Sequence, residues 1–137
     1  MFKAKDIMIK SVFTVKKETP IYVAIKLLAE KNITGLPVVS DDMHLVGIIT
    51  EKDMMKLMYD PDIEYCQVKD LMTSKVVYFD ENDKIQDVCK KLIENNFRRV
   101  PILSKGKVVG IISRSDIIKF ILLKTLKHPN NTSSFDH

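Results

Sequence analysis

Residues 47–53 read GIITEKD and residues 110–116 read GIISRSD. In each, a glycine and two isoleucines lead to a hydroxyl residue, two variable positions and an aspartate. A β-prone run that ends on a hydroxyl residue and an acid marks a strand delivering the chain to a helix start. Its recurrence makes the search for an internal repeat the deciding step, because a repeat changes the whole fold assignment.

The repeat extends in both directions. KDIM at 5–8 returns 64 residues later as KDLM at 69–72, and at that shift Val12 meets Val76, Ile21 meets Ile85 and Pro37 meets Pro101. Beyond Ser40 and Ser104 the second copy is one residue shorter, so that Gly47 meets Gly110 and Asp53 meets Asp116. The missing residue falls between SDDMH and SKGK, polar stretches flanked by β-rich runs, where a length change costs least.

Each copy opens with a β-prone run, residues 12–15 and 76–79, followed by a helix. Ile21, Ala24, Ile25, Leu28 and Ala29 form an i, i+3, i+4, i+7, i+8 stripe, and Ile85, Val88, Cys89, Leu92 and Ile93 repeat it. Thr19, with Pro20 behind it, and Asp83 occupy the capping places. LPVVS with LVGII, and VPILS with VVGII, read as strands covered on both faces. A second helix follows in each copy, from about Asp53 to Tyr59 and through the run Ile117 to Leu123. These helices are apolar on most sides, so they are expected to pack against the other copy and a second subunit. The chain thus divides into a first repeat (1–60), a linker (61–67), a second repeat (68–126) and a flexible polar tail (127–137).

The 137 residues, 45% hydrophobic and 29% charged, suit a folded chain, and a net charge of +4 is too weak to indicate nucleic acid without a clustered patch. Lys119, Lys124, Lys127 and His128 read as a solvated stripe. Cys66 and Cys89 form no CxxC and have no histidines at metal spacing, which argues against disulfides and zinc. Lysines interrupt every apolar run, and no charged-then-apolar leader is visible, so a cytoplasmic location without membrane contact is expected. His44 falls in a turn, and His128 and His137 fall in or near the tail. No nucleophile-and-base set emerges, so catalysis is not expected.

Two readings of the repeated hydroxyl and aspartate stand side by side. Thr50 with Asp53, and Ser113 with Asp116, have capping-box spacing, the hydroxyl accepting from the backbone N–H three residues on and the carboxylate from the cap's own N–H. The same geometry offers hydroxyl donors to a phosphate and a carboxylate to a ribose diol.

The ordered set KDIM…TPIYVAIKLLAEKNITGLPVVS…LVGIITEKD and KDLM…DKIQDVCKKLIENNFRRVPILS…VVGIISRSD resembles a tandem pair of CBS (cystathionine β-synthase) domains, a Bateman module, over roughly residues 5–122. The resemblance implies a mixed α/β fold: two β-α-β-β-α repeats about a pseudo-twofold axis with two clefts between them. It implies a regulatory module without catalysis that binds adenosine-containing ligands, AMP, ADP, ATP or a related adenosyl compound; no cofactor is required, and whether Mg²⁺ accompanies a polyphosphate is left open by the sequence. Asp53 and Asp116 would hold ribose, Thr50 and Ser113 would lie near phosphate, and the base would rest on Met8, Val12 and Phe13 or on Met72, Val76 and Val77. Just before the shared proline, Thr34-Gly35 of one copy stands where the other has Arg98-Arg99, and these arginines are the candidates for holding phosphate. A homodimer that signals an energy state to a protein partner completes that expectation. The competing reading is a ligand-independent dimerisation scaffold in which the aspartates are caps alone.

Overall fold

The computed structural model describes residues 1–59 and 62–126. In chain order these form α1 (Ile21–Lys31), β1 (Gly35–Val39), β2 (Leu45–Thr50), α2 (Glu51–Met55), α3 (Val68–Leu71), β3 (Phe79–Asp80), α4 (Ile85–Glu94), β4 (Arg99–Ser104), β5 (Lys107–Ser113) and α5 (Arg114–Leu126), with single 3-10 turns at Ala4–Asp6, Lys56–Tyr59 and Ile63–Tyr65. The polar tail, with Lys127, His128 and His137, lies outside the described residues, as do positions 60 and 61 of the linker region.

The duplication is visible in the strand ladders. β1 pairs antiparallel with β2 and β4 antiparallel with β5, each ladder broken by a bulge, at Val38/Val39 and at Ile102/Leu103. The two hairpin turns hold the length difference. The shorter turns through Lys105 and Gly106, at φ 53° and 81°, and the longer uses Met43 at φ 69°. Two consecutive left-handed residues make the two-residue turn whose twist matches that of its flanking strands. Parallel pairing is brief: β3 runs beside β4, while its counterpart in the first copy shrinks to a single bridge between Val15 and Val38.

The expected helical stripes bury Ile21, Ala24 and Leu28 on α1 and Ile85, Val88 and Leu92 on α4. The fifth position of each stripe points away: Ala29 is exposed and Ile93 is 82% exposed. At about 100° per residue, i+8 lies on the flank of the stripe, beyond the sheet's reach. Both capping residues act one turn earlier than expected. Pro20 and Lys84 stand at the helix starts without a side-chain bond, while Thr19 Oγ1 accepts from Lys16 N at 2.9 Å and Asp83 Oδ2 accepts from Asp80 N at 2.8 Å. The helix expected over residues 53–59 starts at Glu51 and tightens into a 3-10 turn at Lys56.

The repeats exchange their leading segments. Ala4 and Ile7, which belong in sequence to the first copy, sit in one core cluster with Ile85, Val88, Val100, Ile102 and Ile112 of the second. Val68, from the second, is buried with Ile21, Leu36, Val38 and Ile49 of the first. Backbone ladders seal both crossings: Ile9 exchanges hydrogen bonds with Ile111 at 2.9 and 3.0 Å, and Thr73 with Ile48 at 2.8 Å each. Where the hairpins meet, Val39, Leu103 and Val108 form a third cluster. There Val108 N donates to Met43 O at 2.9 Å and Leu45 N donates to Gly106 O at 3.3 Å.

Candidate ligand-binding cleft

Both hydroxyl-aspartate pairs are capping boxes. Asp53 Oδ2 accepts from Thr50 N at 2.9 Å and from Thr50 Oγ1 at 3.0 Å, while Asp53 N donates back to Thr50 Oγ1 at 3.3 Å. Asp116 Oδ2 accepts from Ser113 N and Ser113 Oγ, both at 2.8 Å, and Asp116 N donates to Ser113 Oγ at 3.2 Å. Among the described residues every hydrogen bond accepted by these two carboxylates falls on Oδ2, so capping leaves Oδ1 of each to another donor.

A cleft of about 450 Å³ opens beside the first box. Its walls come from three places that the segment exchange brings together. The first is the end of β2 and start of α2, with Thr50, Glu51 and Lys52. The second is the crossing segment with Thr73, Lys75, Val76 and Val77, and the third is the approach to β4 with Phe97, Arg98 and Arg99. Thr34 and Gly35 close the side nearest β1. Asp53 is 7% exposed and lies behind Thr50, to which it is bonded, rather than on the wall itself.

The cleft therefore gathers six of the residues singled out in the sequence: Thr50, Arg98, Arg99, Val76, Val77 and Gly35, with Asp53 one hydrogen bond away. The others lie elsewhere. Met8 and Met72 are packing residues, seated against the strands at Gly110 and Gly47. Val12 packs on the cluster between the hairpins, Phe13 is 45% exposed with Lys31 Nζ 5.5 Å from its ring centroid, and Ser113 and Asp116 cap α5. Lys52, Lys75, Glu51 and Phe97 are wall residues that sequence reasoning missed. Lys52 occupies a variable position of the first signature, and Lys75 is the residue just before Val76, so proximity in sequence to both was the available signal.

The electrostatics are one-sided. Among the described residues, Lys52, Lys75, Arg98 and Arg99 line the cleft with one acid, Glu51, and none of the four cations takes part in an ion pair. Arg99 Nε is buried without a hydrogen-bond partner. Burial pushes the Arg99 guanidinium below its ordinary value, with Asp116 and Glu51 pulling it back up and Arg98 adding to the depression. β4 pairs Arg99 with Ser113, whose hydroxyl holds Asp116, so Arg99 stands between the two signatures. Cys89 is half-buried, and that burial raises its thiol pKa, as befits a packing residue. Among the described residues no group of side chains is placed to hold a metal ion, and no helix is long and apolar enough to cross a membrane.

The CBS-domain family model matches residues 4–60 and 68–123. An uncharacterised protein of Methanocaldococcus jannaschii is 34% identical over 117 residues, spanning 85% of this chain and 42% of its own length. Inosine-5'-monophosphate dehydrogenase of Thermoplasma acidophilum is 38% identical over 117 residues, again 85% of this chain but 23% of the enzyme. The chain thus spans less than half the length of these relatives. Among solved structures, CBSX2 of Arabidopsis thaliana in complex with AMP superposes with a TM-score of 0.82 at 30% identity, covering 91% of this chain and 99% of that one. The CBS domain pair of MJ0100 in complex with 5-methylthioadenosine and S-adenosyl-L-methionine gives 0.78 at 30% identity, covering 90% and 98%.

Proposed function

The chain belongs to the CBS-domain family, and from that premise we propose that it is a regulatory module that reversibly binds an adenosine-containing ligand in the cleft beside Thr50 and signals by a change of conformation or assembly. The observation that carries this reading is the meeting, in one concavity of about 450 Å³, of a hydroxyl backed by a carboxylate, apolar side chains and four cations that form no ion pair among the described residues. That volume suits a small ligand held by an apolar lining and a few placed polar groups. Val76 and Val77 would support the base, Oδ1 of Asp53 would take a sugar hydroxyl, and Arg98 and Arg99 would meet phosphate. The bound adenosyl compounds of CBSX2 and MJ0100 support the same ligand class. Any Mg²⁺ would enter with a polyphosphate. In this reading the module performs no chemistry, works in the cytoplasm as a homodimer, and relays occupancy to a protein partner through differential affinity for two arrangements.

A second reading has its own observation. Ile118, Ile121, Leu122, Leu123 and Leu126 are exposed along α5, and Met58 and Tyr59 are exposed after α2. Such a surface suits a dimerisation scaffold with no ligand. Thermal denaturation separates the two. A ligand that binds only the folded state stabilises it by about 2.7 kcal/mol at a hundredfold excess over Kd. A melting temperature that rises with AMP, ATP or S-adenosylmethionine supports the sensor, and indifference to all of them at saturating dose leaves the scaffold.

A further inference from the structure

We infer that the cleft selects among adenosyl ligands by phosphate charge, preferring adenosine polyphosphates and rejecting the sulfonium class, with Lys52 and Lys75 as specificity-determining residues beside the two arginines. The inference rests on the adenosyl reading above and narrows it. Four cations from three separate elements converge on one concave wall: Lys52 from α2, Lys75 from the crossing segment, and Arg98 and Arg99 from the start of β4. Among the described residues none of the four takes part in an ion pair; Glu51 is the acid on the cleft wall, and Asp116 behind Ser113 joins it in acting on Arg99.

This charge is not a by-product of the duplication. Under the repeat, Lys52 corresponds to Ser115, Lys75 to Ser11, Arg98 to Thr34 and Arg99 to Gly35, while Glu51 corresponds to Arg114. Every cation of the cleft therefore replaces a small neutral residue of the other copy. Four like charges on one wall repel one another, the exposed Lys52, Lys75 and Arg98 through solvent that screens them and the half-buried Arg99 more strongly. A bound polyanion removes that repulsion, and the same field disfavours a ligand carrying a positive sulfonium. Arg99 adds a specific acceptor requirement, since its buried Nε lacks a partner and a phosphate oxygen would satisfy it.

The test is a calorimetric series on the full chain without divalent cations: adenosine, AMP, ADP, ATP, S-adenosylmethionine and inorganic tripolyphosphate. Affinity is expected to tighten by about threefold to tenfold with each added phosphate, and S-adenosylmethionine is expected to bind at least about tenfold more weakly than ATP. Raising salt from about 0.05 M to about 0.5 M is expected to weaken ATP far more than adenosine. Lys52→Glu with Lys75→Glu alters two exposed side chains, so the fold is expected to survive, with the phosphate ladder flattened and adenosine affinity unchanged. Equal affinity for adenosine, ATP and S-adenosylmethionine would overturn the charge inference while leaving the adenosyl reading intact. A ladder that persists unchanged in the double variant would overturn the assignment to these lysines. Tripolyphosphate as tight as ATP, or no binding by any compound, would overturn the adenosyl reading and the inference with it.

Discussion

Gly47 and Gly110 owe their identity to close approach, since neither has a positive φ. A Cβ on Gly110 would lie 2.5 Å from Met8 Sδ and 3.0 Å from Met8 Cβ, and one on Gly47 would lie 2.9 Å from Met72 Sδ and 3.0 Å from the backbone oxygen of Thr73. The exchanged segments press their methionines onto these strands. Gly110→Ala is therefore expected to destabilise by about 1–3 kcal/mol in urea denaturation. Met8→Ala in the same chain should relieve most of the clash, seen as a favourable coupling of about 0.5–3 kcal/mol in the double-mutant cycle. Met72→Ala should rescue Gly47→Ala less well, because a backbone oxygen cannot be trimmed. A second residue-scale prediction concerns Asp42 in the longer hairpin turn. The Ser40 hydroxyl first, and then His44, whose Nδ1 is 2.9 Å from Oδ2, hold its carboxyl down to about 2. A depressed folded value means that its contribution is present above the ordinary 3.8 and is lost as pH falls through about 2. An NMR titration of the Asp42 carboxyl should show that low midpoint, and Ser40→Ala should move it toward the ordinary value. The sequence shows why glycine stands in the motif only in part: GII marks the strand, but the methionine that lands on it lies 102 residues away in one copy and 25 in the other. Local periodicity carries no information on such crossings.

At the scale of the element, the two equivalent helices end by different means. α1 stops at Asn32, which turns left-handed at φ 52° and returns its N–H to Leu28 O. Asparagine tolerates that conformation, and it satisfies one of the orphaned carbonyls of the last turn. α4 stops at an extended Asn95, whose N–H and side-chain amide both donate to Lys91 O, and its end is held in addition by Arg114 from the start of α5. The guanidinium donates to Phe97 O at 2.9 Å, Leu92 O at 3.1 Å and Asn95 O at 3.2 Å. A planar fork of donors can serve several carbonyls at once, whereas an ammonium is a point charge. Arg114→Ala is expected to cost about 1–3 kcal/mol of stability, with Arg114→Lys recovering little of it. Hydrogen exchange at the amides of the last turn of α4 reads the loss locally, and protection equal to the parent's would overturn the capping role. The helices themselves were legible from their apolar spacing, because three of the five stripe positions on each bury as the period requires. Their caps were displaced because Thr19 and Asp83 also fit the tighter turn just before each helix, and proline or lysine can open a helix without a side-chain bond. Two local motifs competed for one side chain, and spacing alone does not decide between them.

On the scale of the whole molecule, the duplicated signature exposed the fold, while the exchange of leading segments determines what the fold can do. Thr50 and Asp53 were readable as a pair because they share one motif. The cleft was not, because Lys75 reaches it on the crossing segment and Arg98 and Arg99 reach it from the opposite repeat. The exchange also makes each half depend on a side chain that its own sequence does not contain. Ile7 is buried in the cluster of the second repeat, and its counterpart under the repeat, Leu71, packs against the cluster of the first. Truncating a buried isoleucine or leucine costs about 2–5 kcal/mol, through lost transfer energy and the cavity left behind. If the halves were independent units bounded by the sequence repeat, Ile7→Ala would loosen the first. The packing demands the reverse: Ile7→Ala should speed native-state hydrogen exchange at Ile102 and Ile112, and Leu71→Ala should speed it at Leu36 and Ile49. Sub-global opening is the relevant measurement, since exchange reports local stability unit by unit. Loosening confined to the mutated residue's own copy would show that the crossing segments ride on the surface rather than anchor the core. Loosening of the opposite copy would mean that a ligand bridging the crossing segment and β2 tightens both repeats together, which is the mechanical condition for occupancy of one cleft to be felt throughout the molecule.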